Sequence, residues 1–120
     1  MSRIELVVLL LIAGCTCAAA QASGNEPRME VVLLGTGFPA PDPERAGPSA
    51  AVLVGDKTFV VDAGRGVIMR LAAFKPRPAR IDAVFLTHLH SDHITGLPDL
   101  FATSWVMRRA APLELYGPKG

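Results

Sequence analysis

All three histidines of the chain fall in one window, Thr87-His88-Leu89-His90-Ser91-Asp92-His93, directly after the apolar run Ile81-Asp82-Ala83-Val84-Phe85-Leu86. Imidazole nitrogen and carboxylate oxygen are the donors that borderline divalent ions such as zinc prefer. His88, His90, Asp92 and His93 place four such donors within six residues, so the window reads as a metal site. In extended chain leaving a strand, side chains two residues apart point the same way, so His88 and His90 can grip one ion together; on a helix they would diverge. A turn at Ser91-Asp92 would swing Asp92 and His93 toward a second ion, and two ions about 3.5–4 Å apart form a recurrent hydrolytic device. A surface loop or a hydrogen-bonded core histidine would explain one histidine. It is a poor account of His-x-His-x-Asp-His placed after a β-branched and aromatic strand.

The elements that must position this window follow from patterning. Met29-Glu30-Val31-Val32-Leu33-Leu34 is a first strand ended by Gly35-Thr36-Gly37, which lacks the third glycine and following helix of a dinucleotide-binding turn. Pro39, Pro41 and Pro43 then require a loop. Ala50–Val54 and Thr58–Val61 flank Gly55-Asp56-Lys57 as a hairpin, Asp62-Ala63-Gly64-Arg65-Gly66 closes it, and Val67–Phe74 fits a short helix. The basic stretch Lys75-Pro76-Arg77-Pro78-Ala79-Arg80 reads as a solvated connection. Ile81–Leu86 is the strand that delivers the window, with the Thr87 hydroxyl placed to bond the loop backbone. Pro98 suits the first position of a helix running to about Arg109. On it Leu97, Leu100, Phe101 and Trp105 recur as core residues, and Arg108 and Arg109 sit at the negative end of the helix dipole. Pro112–Tyr116 is a last strand.

The pattern His88-x-His90-x-Asp92-His93 resembles the metal-binding motif of the metallo-β-lactamase-fold hydrolases. Leu34-Gly35-Thr36-Gly37 and Phe59-Val60-Val61-Asp62-Ala63-Gly64 are similar to that family's first strand and its Asp-x-Gly turn. Gly96-Leu97-Pro98 and Leu115-Tyr116-Gly117-Pro118 resemble its ribonuclease Z and arylsulfatase-like branch, over about residues 29–120 in all. The resemblance implies an α/β fold, the N-terminal half of an αββα sandwich, with a mixed sheet and flanking helices. It implies two zinc ions in the complete protein, with manganese or iron as alternatives. Asp62 is either a turn residue or, as in the family, a support for the metal loop, since outer carboxylates orient ligating imidazoles. Arg65 stands where an acidic residue is expected in ribonuclease Z itself. The family draws further histidines and a bridging aspartate from later segments, whereas no histidine follows His93. The expectation is therefore an N-terminal part of a longer protein or a truncated gene product, with an apolar sheet face left uncovered.

Composition bounds the rest. The chain has 120 residues, 50% of them hydrophobic, and 12 basic against 11 acidic side chains for a net charge of +1. No basic excess points to nucleic acid, which argues against a role in tRNA processing. Both cysteines, Cys15 and Cys17, lie near the start, so residues 23–120 offer neither disulfides nor thiolate ligands. Residues 1–22 have Arg3, the apolar run Leu6–Ala13 and small residues ending Ala20-Gln21-Ala22, the layout of a secretory signal peptide. Ile12-Ala13-Gly14-Cys15 also resembles a lipobox, which would lipidate Cys15, whereas a cut after Ala22 would release a soluble protein. Residues 23–28 read as a linker.

Together these observations lead to the expectation of an exported dizinc hydrolase, periplasmic or lipid-anchored to the membrane, that uses a metal-activated hydroxide on a small-molecule ester, phosphodiester or sulfate ester. Asp92 would also orient the nucleophilic water. The alternatives are an enzyme similar to the tRNA 3′-processing endoribonucleases and a non-catalytic metal-binding fragment.

Overall fold

A computed structural model of the chain describes residues 28–74 and 80–119. The expectations for the leader, for Cys15 and for all of the linker but Arg28 lie outside these residues. Five strands form one sheet in chain order: β1 (Met29–Gly35), β2 (Ser49–Val54), β3 (Lys57–Val61), β4 (Ala83–Phe85) and β5 (Glu114–Tyr116). Three helices, α1 (Val67–Phe74), α2 (Ser91–Ile94) and α3 (Leu97–Val106), complete the described fold.

β1, β2 and β3 are antiparallel, and β3, β4 and β5 run parallel. The change of direction has a sequence cause. Only two residues, Gly55 and Asp56, separate β2 from β3, enough for a hairpin. The longer segments after β3 and β4 carry α1 and α3, the crossovers that parallel neighbours need.

Alternation along the strands sorts side chains onto two faces. Ala51, Val60 and Val84 lie side by side in the register and are wholly buried. Leu53, Val67, Ile68, Leu71, Ile81 and Leu100 close over them to make the core. Each fully buried Val, Leu or Ile contributes about 1.5–3 kcal/mol, so this one layer of contacts dominates the stability of the described fold. On the opposite face, the paired positions Met29 and Val54, Val31 and Val52, Val52 and Phe59, and Phe85 and Tyr116 carry apolar side chains outward. Val31, Leu33 and Tyr116 are at least half exposed there, and the Phe85 ring stacks on Tyr116 with centroids 5.1 Å apart. Among the described residues, nothing covers the apolar face that the sequence led us to expect exposed.

Several expectations about elements change. β4 is shorter than Ile81–Leu86, and β5 begins at Glu114. α3 ends at Val106, three residues before Arg109, because Arg108 adopts a left-handed backbone with φ 61° and Arg109 N–H turns back to Ser104 O. Arg109 therefore does not serve the helix end by its charge, and its guanidinium donates to Ile81 O at 2.5 Å. The inward stripe of α3 is Leu97, Leu100 and Ser104, so Phe101 and Trp105 fall beside it and are exposed, Trp105 by 78%. A single helix on a sheet buries a narrower stripe than a helix enclosed on both sides. No helix among the described residues is long and apolar enough to cross a membrane.

Candidate metal centre

The histidine window leaves the C-terminal end of β4, beside the end of β3. Three close backbone approaches hold it there. Ala63 N–H donates to His93 O and Gly96 N–H to Ala63 O, both at 2.8 Å, and Gly64 N–H donates to Pro48 O at 3.1 Å. These contacts are tight enough to exclude a side chain. A Cβ on Gly64 would stand 2.5 Å from Gly47 C and 2.7 Å from Asp92 O, and one on Gly96 would stand 2.2 Å from Gly64 O. Glycine is required where backbones meet this closely.

His90 stands in extended conformation at the N-terminal boundary of α2, and Ser91–Ile94 form a single helical turn where a turn was expected at Ser91-Asp92. That turn brings His93 back toward the end of the strand. His93 Nδ1 lies 2.8 Å from Asp62 Oδ2, and His93 Nε2 lies 3.6 Å from Asp92 Oδ2. The His88 ring packs between the other two, 4.0 Å from His93 and 4.6 Å from His90 between centroids.

Asp62 anchors the arrangement from β3. It is 6% exposed and, unusually for a residue other than glycine, has φ 58°, which aims its carboxylate across the parallel β3–β4 pair. Thr87 N–H donates to Oδ1 at 2.8 Å, and the Thr87 hydroxyl lies 3.0 Å from Oδ1 and 2.8 Å from Oδ2. Burial opposes ionisation of Asp62, but the bonds from the Thr87 backbone, His93 and the Thr87 hydroxyl outweigh it and hold the carboxyl below its ordinary range. The Thr87 hydroxyl does not bond the loop backbone as expected; it reaches Asp62 and stands 3.0 Å from His88 Nδ1.

The structure thus brings together the six residues that the sequence assigned to the metal site and its support: Asp62, Thr87, His88, His90, Asp92 and His93. Among the described residues no three His, Cys, Asp or Glu side chains converge as ligands of one ion. The donor chemistry suits zinc-like ions all the same. Nδ1 of His93 is engaged by Asp62, which leaves Nε2 and the Asp92 oxygen 3.6 Å apart, a spacing two donors can hold to one ion at about 2.1 Å each. What sequence reasoning missed is the wedge of Gly47, Gly64 and Gly96, because residues so far apart in the chain carry no local pattern.

With fold and site in place, the class is defined: the chain belongs to the metallo-beta-lactamase superfamily, whose model matches residues 44–120. Within that class its relatives include the ribonuclease Z of Mycobacterium marinum, 55% identical over 95 residues that cover 77% of this chain and 34% of the relative. Among solved structures, the short form of human tRNase Z superposes with a TM-score of 0.68 at 34% identity, covering 78% of this chain and 35% of that one. The metallo-beta-lactamase fold protein YhfI from Bacillus subtilis gives 0.67 at 29% identity, covering 74% and 36%. The chain spans about a third of the length of the curated relatives it matches.

These relatives overturn two expectations. The exported hydrolase of small-molecule esters or sulfate esters gives way, because the similar sequences are named ribonuclease Z. The exclusion of nucleic acid falls with it. A net charge of +1 summed over a third of the relatives' length does not measure the field of a whole enzyme.

Proposed function

We propose that this chain is part of a metal-dependent endoribonuclease of the ribonuclease Z type, acting on the 3′ region of tRNA. The observation that carries the reading is the loop of four nitrogen and oxygen donors locked to Asp62, in a chain 55% identical to a ribonuclease Z. His88 and His90 would hold one ion, and Asp92 and His93 a second. Zinc fits these donors, with manganese or iron as substitutes. Ions bound there supply Lewis-acid polarisation of the scissile phosphodiester and acidify water.

The chain's own residues do the rest. Asp62 fixes the orientation of His93 and, through Thr87 N–H, the start of the loop, so the donors are held before substrate arrives. Asp92 would also accept a hydrogen bond from the attacking water and so orient it.

The test is cleavage of a 3′-extended precursor tRNA by the full-length gene product. Turnover should vanish with a chelator, return with zinc, and fall by more than about 100-fold in His88→Ala. Metal binding without cleavage of any RNA would favour the non-catalytic alternative instead.

A further inference from the structure

The hydrogens around Thr87 can be counted. Its hydroxyl lies within 3.0 Å of both Asp62 oxygens and also 3.0 Å from His88 Nδ1, yet a hydroxyl carries one hydrogen. Asp62 accepts from Thr87 N–H and pairs with His93 Nδ1, the pattern of an ionised carboxylate with no hydrogen of its own to give. The hydroxyl hydrogen must therefore point at Asp62, and only lone pairs remain for His88. The 3.0 Å contact is then a hydrogen bond only if His88 Nδ1 carries the hydrogen. On the other side of the carboxylate, His93 Nδ1 is in the same position at 2.8 Å.

We propose that Thr87 is a positioning residue that extends the reach of Asp62 to His88, so that one carboxylate sets the same Nδ1–H tautomer on two imidazoles and presents Nε2 of both. In the reading above, on which this part rests, those two nitrogens belong to different ions. A single buried acid would then organise both halves of the centre, directly through His93 and by one hydroxyl through His88. The ring that an unconstrained imidazole prefers in water carries its hydrogen on Nε2, so the effect is a reversal and not a reinforcement.

The experiment is long-range nitrogen–proton correlation NMR on the metal-free full chain, at a pH where the imidazoles are neutral, followed by zinc titration. In the wild-type protein both His88 and His93 should show the Nδ1–H pattern. In Thr87→Val, which keeps the branched shape and the backbone donor, His88 should revert to Nε2–H while His93 is unchanged, and Thr87→Ser should restore the wild-type pattern. Zinc titration of the valine variant should weaken one of two sites by about 10–100-fold and spare the other. An Nε2–H His88 in the wild-type protein, or a valine variant with altered melting but an unmoved tautomer, overturns the inference. If the tautomers are as stated but no zinc binds, the ligand assignment fails and the role of Thr87 stands.

Discussion

Asp62 works against its own conformational preference. A left-handed backbone costs an L-residue roughly 1–2 kcal/mol, and aspartate is among the few that tolerate it. Three hydrogen bonds to a buried carboxylate, each worth about 1.5–3 kcal/mol, exceed that cost. Asp62→Ala should therefore destabilise the chain by about 2–4 kcal/mol in urea denaturation. Asp62→Asn, which suits the same backbone, should cost less and lose its charge. The sign of the pH dependence follows from the lowered carboxyl. Its contribution is fully present above the unfolded value of 3.8 and is lost as the pH falls from there through the lower folded value. Thermal melts of Asp62→Asn taken down through the acid range should accordingly lose the acid-side decline that Asp62 gives the wild-type protein. An unchanged acid limb would mean that the Asp62 carboxyl titrates alike in the folded and the unfolded chain.

At the scale of elements, the site is a junction between strand ends that glycines allow to close. Gly64→Ala would place a methyl group against backbone on three sides, from Gly47, Pro48 and Asp92, and backbone cannot yield as a flexible side chain does. Overpacking of this kind costs about 1–3 kcal/mol, and because Asp92 is one of the neighbours, metal affinity should fall along with the melting temperature. Loss of one without the other would separate the wedge from the loop it supports. Local patterning made the strands and α1 legible: alternation in Ala50–Val61, the two-residue hairpin turn and the apolar stripe Val67, Ile68 and Leu71 each follow from neighbours in sequence. The four donors were legible for the same reason, being packed into one window. The end of α3 was not, because nothing about Arg108 announces a positive φ. The exposure of Trp105 was not either, since helical spacing reveals a stripe but not how wide a stripe the neighbours cover. The partner of the Thr87 hydroxyl lies 25 residues away, beyond the range of any local rule.

At the scale of the whole fold, the dominant feature among the described residues is a sheet with one apolar face packed and the other open. Helices cover Val60 and Val84, while Val31 and Leu33 on the edge strand β1 are 60% and 71% exposed. An open apolar face ending in a strand edge that no other described strand pairs invites self-association. Val31→Lys combined with Leu33→Lys should suppress light scattering by the 120-residue chain while changing its stability by no more than about 0.5 kcal/mol per site. A large loss of stability would show that these side chains are already covered.

The bonds that hold the histidines also carry a statement about time. β2 and β3 pair as a hairpin across a two-residue turn, and such short-range contacts form early because little chain must be restrained to make them. Asp62 meets Thr87 and His93 across 25 and 31 residues, after α1 has been laid down and β4 has docked in parallel. Fixing the donors against Asp62 therefore requires a longer stretch of chain to close than the β2–β3 hairpin does. A half-folded chain still carries its three histidines close together in sequence, but without Asp62 to orient them, so the bonds that set the donors form with the fold and not before it.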